Sequence, residues 1–272
     1  MLGWLRNEVD FRMRQWIRLR RGPARLPGEP KDGLFDGAAA AEAERLVAAY
    51  GLERWRAESG RTDFAASLFY AAMVETALRE AHVDLPDPLT ALDAGAGDWF
   101  YVRPLYGVLR SFQAAAPRHV SLDGVELDAY ALYRGWRSRF DWAEAYVGGL
   151  PGVRFLPGEI GAYDRRVELA FMLFPFLFSA DARRWGLPRR YVQPAAVLAH
   201  VWSLVKPGGA LLIANLGEAE RAEQSRLLRE AGLRPLWHER FVSPLFSYEE
   251  SRYVSVIVKD GEKGLFSGEK PR

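Results

Sequence analysis

The stretch Ala91-Leu-Asp-Ala-Gly-Ala-Gly97 decides the fold of this chain. It ends an apolar run that begins at Leu89, and it places Gly95 and Gly97 two residues apart before a helix-like segment, Trp99–Phe112. Glycine lets a backbone turn sharply and approach a ligand closely, because no side chain stands in the way. A strand that turns through glycines into a helix also presents free main-chain N–H groups. The stretch therefore predicts a ligand-binding turn after the first core strand.

Composition places the chain among ordinary globular proteins. It has 272 residues, of which 49% are hydrophobic and 26% charged. It contains no cysteine, which excludes disulfides, thiolate metal ligands and a cysteine nucleophile, and which is compatible with a reducing compartment. Arginines interrupt the apolar runs near the N-terminus, and no stretch reaches the ~18–20 apolar residues of a membrane span. We therefore expect a cytoplasmic protein with no transmembrane segment.

Positive charge is concentrated in residues 1–31, which carry eight Lys or Arg against three Asp or Glu, whereas the remaining chain carries 29 against 32. Apolar residues at helical spacing predict a basic amphipathic helix within residues 2–21. We expect a lid or surface helix that buries Trp4, Trp16 and Ile17 against the domain. Contact with RNA or with an anionic membrane is the alternative.

Residues 1–84 are predicted to form a helical N-terminal extension. It consists of the basic helix, a linker rich in Pro and Gly, and two cap helices, Ala38–Tyr50 and Asp63–Ala81. Residues 85–260 are predicted to form a Rossmann-like domain, and residues 261–272 a flexible tail.

From residue 85 the chain alternates strands and helices. The last two predicted strands have no helix between them, which indicates an antiparallel edge on an otherwise parallel sheet. The fold class predicted is α/β, a doubly wound, seven-stranded, mostly parallel sheet with an antiparallel last strand and a helical N-terminal extension. The predicted elements are strand Leu89–Asp93, helix Trp99–Gln113, strand Val120–Glu126, helix Tyr130–Val147, strands Val153–Leu156 and Val167–Leu173, helix Pro194–Val205, turn Lys206–Gly209, strand Ala210–Asn215, helix Glu218–Ala231, and strands Leu233–Val242 and Tyr253–Lys259.

The glycine turn does not match two common nucleotide-binding motifs. A dinucleotide fingerprint requires G-x-G-x-x-G, and Phe100 occupies its sixth position here. A Tyr-x-x-x-Lys pair after the central strand is also missing, which weighs against an NAD-dependent reductase. A Walker A motif is absent, because no Gly-Lys-Ser/Thr follows the glycines. An acidic residue at the end of the next strand can hold a ribose through its hydroxyls, and Glu126 has that position.

Four motifs occur here in the order and spacing of class I S-adenosylmethionine-dependent methyltransferases, which the chain resembles over about residues 85–260. The final pair of strands also looks like the reversed last strand of that family. The resemblance implies a Rossmann-like methyltransferase domain and S-adenosyl-L-methionine as its cofactor. The four motifs are Asp93-Ala-Gly-Ala-Gly97, Gly124-Val-Glu126, Leu156-Pro-Gly-Glu159 and Leu204-Val-Lys-Pro-Gly-Gly209.

The resemblance implies roles for five residues. Asp93, Gly95 and Gly97 would line the methionine and ribose part of the cofactor. Glu126 would bind the ribose hydroxyls. Glu159 would face the adenine amino group, where the family more often has aspartate.

The chain departs from the family at two motifs. Trp99 stands where the family usually has a third glycine, which affects the fine geometry of the cofactor site. Phe174-Pro-Phe176 lacks the leading Asn or Asp of the motif that methylates amino groups of DNA bases and some protein amides, so that subgroup is disfavoured. By resemblance, the strand that ends at Phe174 would open onto the acceptor pocket.

The segment Asp181–Tyr191 would hang over the carboxyl edge of the sheet, where ligands of such folds bind. Arginines with aromatic residues can grip a carboxylate, a phosphate or a nucleic-acid backbone, and a solvated basic loop is the alternative. The loop Ser243–Tyr248 is a second possible acceptor wall. The candidate substrate-binding residues are Phe174, Arg183, Arg184, Trp185 and Tyr191.

No catalytic group stands out. The four histidines show no metal-binding spacing, so no metal site is predicted, and His238 ranks first among candidate bases. Methyl transfer from a sulfonium needs a general base only if the acceptor must lose a proton before attack.

We predict methyl transfer to a small-molecule acceptor. The alternatives are an RNA methyltransferase that uses residues 1–31 and a non-catalytic, methyltransferase-like binding protein. The sequence leaves the acceptor and the oligomeric state open.

Overall fold

The computed structural model describes residues 2–261, so the tail predicted for residues 261–272 lies, apart from Gly261, outside the described part. Within that part, no helix combines the length and the apolar composition that a membrane crossing requires.

The helices are α1 (Leu2–Ile17), α2 (Gly37–Tyr50), α3 (Glu53–Glu58), α4 (Arg61–Glu80), α5 (Val102–Ser111), α6 (Arg139–Val147), α7 (Ser179–Arg184), α8 (Pro194–Leu204) and α9 (Gly217–Glu230). The strands are β1 (Leu89–Ala94), β2 (Val120–Glu126), β3 (Val153–Pro157), β4 (Val167–Leu173), β5 (Val205–Leu216), β6 (Trp237–Phe241) and β7 (Arg252–Val258), with 3-10 turns at Arg134–Trp136, Ile160–Ala162 and Arg189–Tyr191.

The seven strands form one sheet in the order β3-β2-β1-β4-β5-β7-β6. Strands β1 to β5 pair in parallel, whereas β7 runs antiparallel to both β5 and β6. This arrangement confirms the predicted fold class, including the reversed last strand.

The strand order places a crevice beside β1. Strand β1 lies between β2 and β4. After β1 the chain adds β2 and β3 on one side of it, and then crosses to the other side to add β4 and β5. Ligands of such sheets bind at this switch point, outside the carboxyl ends of the strands. Because β7 is reversed, its first residue, Arg252, lies opposite Leu216 at that same edge.

Each face of the sheet packs against its own helices. On one face, Ala91, Leu169 and Val254 belong to a core cluster that also contains residues of α2, α4 and α5. On the other face, Leu92 and Ile213 pack with α8 and α9. The two cap helices thus share a core with the sheet, and the domain boundary at residue 84 stays a prediction.

The helix predicted for Tyr130–Val147 is wrong in its first half. Gly135 has a φ of +62°, and Leu132 forms an isolated bridge to Ser138. Helix α6 begins only after Ser138, whose hydroxyl accepts a hydrogen bond from the amide of Asp141 at 3.2 Å, while the Asp141 carboxylate accepts from the amide of Ser138 at 3.0 Å. This capping box satisfies N–H groups at the true helix start.

Two smaller predictions also differ from the structure. Helix α5 starts three residues after Trp99, because Trp99 has a left-handed φ of +60°. The turn predicted for Lys206–Gly209 is a bulge within β5, where pairing with β4 jumps from Val205 to Ala210. The short helices α3 and α7 are not predicted from the sequence.

Candidate functional site

The turn after β1 is held in left-handed backbone conformations. The φ angles are +87° at Gly95, +65° at Gly97 and +60° at Trp99. The amides of Gly95 and Ala96 donate to the carbonyl oxygen of Val125 at 2.9 and 3.1 Å. The prediction of free amides is therefore wrong for these two groups, since they tie the turn to the end of β2.

Glu126, the last residue of β2, lies against this turn. Its Oε2 accepts a hydrogen bond from the amide of Gly97 at 2.9 Å, and its Oε1 accepts one from the amide of Asp128 at 2.9 Å. Burial raises the pKa of Glu126, and Nη1 of Arg139, 3.5 Å from Oε1, acts in the opposite direction. The structure thus brings together the carboxylate and the second glycine that the sequence singled out.

Asp93 supports the turn from inside the protein. It is fully buried, and its Oδ2 accepts hydrogen bonds from Nε1 of Trp99 and the hydroxyl of Tyr101, both at 2.8 Å. Its Oδ1 has no hydrogen-bond partner among residues 2–261. Burial raises the pKa of Asp93 to about 6. One oxygen therefore orders the start of α5, and the other keeps its capacity to accept a hydrogen bond.

The Trp99 indole packs against Gly124 of β2. A Cβ added to Gly124 of β2 would come within 2.5 to 2.7 Å of three atoms of the Trp99 indole. The indole is fully buried. A left-handed φ is unfavourable for a bulky residue, so this burial and the hydrogen bond to Asp93 stabilise the conformation.

A polar network braces the same turn against the helices. Arg134 donates to Asp98 in the turn at 3.1 Å and to Asp63 of α4 at 3.0 Å. The hydroxyl of Tyr146, on α6, donates to Asp63 at 2.8 Å. Burial raises the pKa of Asp98, which the Arg134 charge opposes. The glycine turn is therefore linked to both α4 and α6.

Glu159 lies at the next strand end. It follows β3 and is exposed. The amide of Gly158 donates to the carbonyl oxygen of Glu126 at 3.0 Å. The two carboxylates predicted to bind the ribose and the adenine therefore lie on adjacent strand ends.

On the other side of the crevice, four rings form an aromatic row, defined as Tyr70, Tyr101, Phe174 and Tyr248. Tyr70 of α4 stacks on Tyr101 with centroids 4.5 Å apart and an interplanar angle of 9°. The Phe174 ring lies edge-on to Tyr70 at 5.8 Å. Because Tyr101 bonds to Asp93 and Phe174 follows β4, the row extends from the end of β1 to the end of β4.

Arg252 lies over the aromatic row. Its guanidinium is 3.8 Å from the ring centroid of Tyr248 and 5.0 Å from that of Phe174. The residue is 8% exposed, and burial lowers its pKa. Nη1 donates to the carbonyl oxygen of Glu250 at 2.7 Å, whereas Nε has no partner in the described part of the chain. A buried cation with unused donor capacity is suited to an anionic ligand.

Tyr70 and Arg252 are functional candidates that the sequence analysis missed. Tyr70 is one of several apolar or aromatic residues on α4, so its spacing looks like that of a core residue. Arg252 begins a strand, and nothing in its neighbours indicates burial. Tyr248 belongs to the loop predicted as a second acceptor wall, and Phe246 packs on it at 4.6 Å.

Of the five predicted substrate-binding residues, Phe174 lies in the aromatic row and the other four lie outside it. The carbonyl oxygen of Arg183 accepts a hydrogen bond from Asn7 of α1 at 2.9 Å. The Tyr191 ring lies 5.2 Å from the ring of Phe11, also on α1. Arg184 pairs with Asp181 at the surface. This part of the segment after β4 holds α1.

Trp185, the fourth of these residues, lies at the Glu126 end of the crevice. The guanidinium of Arg139, the partner of Glu126, lies 4.5 Å from its ring centroid. The ring is half-exposed and contacts Phe176 edge-on at 5.5 Å.

His238, the foremost candidate base, lies on the opposite face of the sheet from the aromatic row. Its Nδ1 is 2.7 Å from Oγ of Ser255, its cross-strand partner on β7. Side chains alternate along a strand, so Arg252 and Val254 point to one face and Ser255 to the other. Burial lowers the pKa of His238. The structure does not bring this histidine to the crevice.

No protein-family profile matches the sequence, and no curated protein is significantly similar to it. The fold, however, is that of class I S-adenosylmethionine-dependent methyltransferases. A Listeria monocytogenes protein assigned to that class has a TM-score of 0.50 and 12% identity, over 87% of this chain and 73% of that chain.

Two further structures are similar at lower scores. Magnesium protoporphyrin IX methyltransferase from Synechocystis with bound S-adenosylmethionine has a TM-score of 0.47 and 16% identity, over 83% of this chain and all of that chain. TrmN from Thermus thermophilus has a TM-score of 0.46 and 16% identity over 70% of this chain, and the alignment spans 48%, about half, of TrmN.

Proposed function

We propose that this chain binds S-adenosyl-L-methionine at the carboxyl edge of β1, β2 and β3 and transfers its methyl group to a small molecule. The observation that carries the proposal is the Glu126 carboxylate, which reaches the amide of Gly97 at 2.9 Å on a sheet of methyltransferase order. A carboxylate at this position holds a ribose diol in nucleotide-binding sheets.

The residues present fit this cofactor. Each oxygen of Glu126 accepts one main-chain hydrogen bond, and a carboxylate has about four acceptor positions in total, so capacity remains for two hydroxyls. Oδ1 of Asp93 is a buried acceptor that no described residue satisfies, and an ammonium group is a donor of the required kind. Glu159 offers a carboxylate to the adenine amino group from the neighbouring strand end.

The bound cofactor supplies an activated methyl group, and the protein residues position the acceptor and exclude water. Burial raises the pKa of Tyr70 and Tyr101 well above the ordinary value of a tyrosine. Both phenols therefore stay protonated at neutral pH and act as hydrogen-bond donors, not as bases. This arrangement suits an acceptor atom that is already nucleophilic.

Arg252 and the aromatic row support an acceptor that is planar and anionic. The guanidinium can bind a carboxylate or phosphate, and the rings of Tyr248 and Phe174 offer flat apolar surface beside it. Nucleic acid as the acceptor has less support. Arg184 of the segment after β4 pairs with Asp181, and Arg190 shares Glu8 with Arg12, so these charges are compensated only in part.

Calorimetry with S-adenosylmethionine tests the cofactor half of the proposal. We expect a dissociation constant below about 100 µM, and Glu126→Ala should weaken binding at least tenfold, because a ribose diol loses its charged acceptor. Glu223→Ala is the matched control and should bind normally, because Glu223 is a half-buried carboxylate of α9 that pairs with Arg226. Affinity weaker than about 1 mM, with no effect of Glu126→Ala, would favour the non-catalytic alternative.

Binding of paired anionic and neutral ligands tests the proposal that the acceptor is anionic. Planar aromatic carboxylates and their carboxamides are compared for binding to the protein saturated with S-adenosylhomocysteine. The carboxylates should bind at least about tenfold more tightly, because Arg252 makes a charge-assisted hydrogen bond only to the anion. Equal affinity within each pair would refute an anionic acceptor and leave the cofactor result intact.

A further inference from the structure

Helix α1 is docked on the domain through one of its faces. Phe11 is 3% exposed and packs with Ala182 and Leu187 beyond β4. Arg14 donates two hydrogen bonds, at 2.8 and 2.9 Å, to Asp128, which is fully buried beyond β2. The helix therefore bridges the segments that follow β2 and β4, and its orientation is fixed.

The opposite face of α1 carries an apolar surface exposed to solvent, here called the outer stripe. Successive members are one to four residues apart, so at 100° per residue they cover about 120° of the helix surface. The fixed inner face prevents the helix from turning this surface inward. The expectation that Trp16 and Ile17 are buried is therefore wrong. The outer stripe consists of Leu5 (63% exposed), Val9 (50%), Met13 (51%), Trp16 (83%) and Ile17 (58%).

Two arginines of α1 lie at the outer stripe. At 100° per residue Arg12 borders it on one side, with a side chain 74% exposed, and Arg6 lies within its arc, with a side chain 83% exposed. The two acids of α1 are already paired, Asp10 with Arg6 and Glu8 with both Arg12 and Arg190. Four more exposed arginines follow the helix within eight residues, at Arg18, Arg20, Arg21 and Arg25, and the first three contact the domain at Tyr130, Phe140 and the carbonyl oxygen of Trp136. Residues 1–31 together carry eight Lys or Arg against three Asp or Glu.

We propose that the outer stripe seats this protein on the surface of an anionic lipid bilayer. An interfacial helix places an apolar face with Trp and Leu among the acyl chains and keeps arginines at the level of the phosphates. The outer stripe and its arginines have this arrangement, with Trp16 as the most exposed large apolar side chain of the described residues. The inference is independent of the proposed methyl transfer.

The charges around the outer stripe disfavour two other partners, a second copy of this chain and RNA. A second copy docked on the same stripe would bring two arginine-rich surfaces together, which is unfavourable without intervening anions. An RNA backbone would use the arginines but would leave the apolar side chains against phosphates. A bilayer with anionic headgroups satisfies both parts of the surface at once.

Vesicle flotation of the full chain tests the proposal. Wild-type protein should float with phosphatidylcholine vesicles that contain about one-third phosphatidylserine, and should partition at least tenfold less onto phosphatidylcholine alone. The double variant Val9→Glu/Met13→Glu should lose at least about tenfold in partitioning onto the anionic vesicles. Both residues are half-exposed, so its far-ultraviolet dichroism and unfolding midpoint should match the wild type.

Two exposed apolar residues outside α1 supply the control. Leu236→Glu/Val242→Glu adds the same two charges at positions 63% and 72% exposed, and should float like the wild type. Failure of the wild type to float, equal partitioning of the two double variants, or equal binding to both vesicle types overturns the proposal. A dimer in sedimentation that Val9→Glu/Met13→Glu dissociates, without flotation, assigns the stripe to a second copy and also overturns it.

Discussion

The indole of Trp99 packs against Gly124 so closely that a single added methyl group at position 124 would come within 2.5 Å of the ring. These two residues lie on different elements, the turn after β1 and the middle of β2. The absence of a side chain at position 124 makes room for the Trp99 indole beside β2.

Gly124→Ala should lower the free energy of unfolding by about 1–3 kcal/mol, because the new Cβ displaces a fully buried ring. Urea unfolding measures the change. Gly3→Ala is the control, since its Cβ would meet only a flexible arginine side chain at 3.8 Å and should change stability by less than about 0.5 kcal/mol. In a Trp99→Gly background the effect of Gly124→Ala should largely disappear. If Gly124→Ala lowered the free energy of unfolding by the same amount in that background, the contact with Trp99 would not be the cause.

Asp93 should make stability fall as pH rises from about 4 to about 6. Its pKa is about 6 in the folded protein against 3.8 as the ordinary value, so the folded state binds the proton more tightly. The stabilisation from the protonated Asp93 is fully present below the pKa of the unfolded protein. It is lost as pH rises through the pKa of the folded protein, and the total loss is up to about 3 kcal/mol. Urea unfolding from pH 4 to 7 should show a steeper fall in the wild type than in Asp93→Asn, and the difference between the two proteins measures Asp93, because Glu126 and Asp98 also have raised pKa values in both.

Asp123→Asn supplies the comparison for that experiment. Asp123 is equally buried, but the side-chain hydrogen bonds of Arg154 and Tyr163 outweigh burial and lower its pKa. The contribution of Asp123 to the free energy of unfolding is therefore lost as pH falls, whereas that of Asp93 is lost as pH rises. If both variants altered the pH profile in the same direction, the account of Asp93 would be wrong.

Arg252→Met should separate acceptor binding from cofactor binding. The side chain lies over Phe174 and Tyr248, away from Glu126, so the affinity for S-adenosylmethionine should stay within twofold of wild type. Affinity for an aromatic carboxylate should drop at least tenfold, because the guanidinium is lost. The free energy of unfolding should change by less than about 1.5 kcal/mol, since removal of a buried, unpaired charge offsets the lost packing. Parallel loss of both affinities would show that Arg252 supports the whole site.

Arg14→Gln should release α1 from the domain. Asp128 is fully buried and loses its bidentate partner, which costs about 3–5 kcal/mol if the helix stays docked. Undocking avoids that cost, so amide hydrogen exchange should accelerate in residues 2–17 and not in the sheet. Arg12→Gln removes an exposed pair with Glu8 and should leave exchange nearly unchanged. Uniform acceleration across the chain would argue against local release.

The sequence by itself determined the order of the seven strands along the chain, the position of the glycine turn, the acidic residue that ends β2 and the antiparallel edge. These features depend on local patterns: alternation along strands, helical spacing, and glycines where the backbone takes a positive φ at residues 95 and 97. Local patterns misplaced the helix start before Ser138, because a capping box and a bridge between Leu132 and Ser138 override the apolar spacing there.

Only the tertiary structure decided which face of each element packs inward. Helix α1 has two faces with apolar side chains, and spacing alone favoured burial of Trp16. The face that docks is the one whose Arg14 finds Asp128, 114 residues away. Likewise, Arg252 and His238 lie on opposite faces of one sheet edge because of strand register. Contacts between residues so distant in sequence supply most of the energy that orients an element, and no local pattern encodes them.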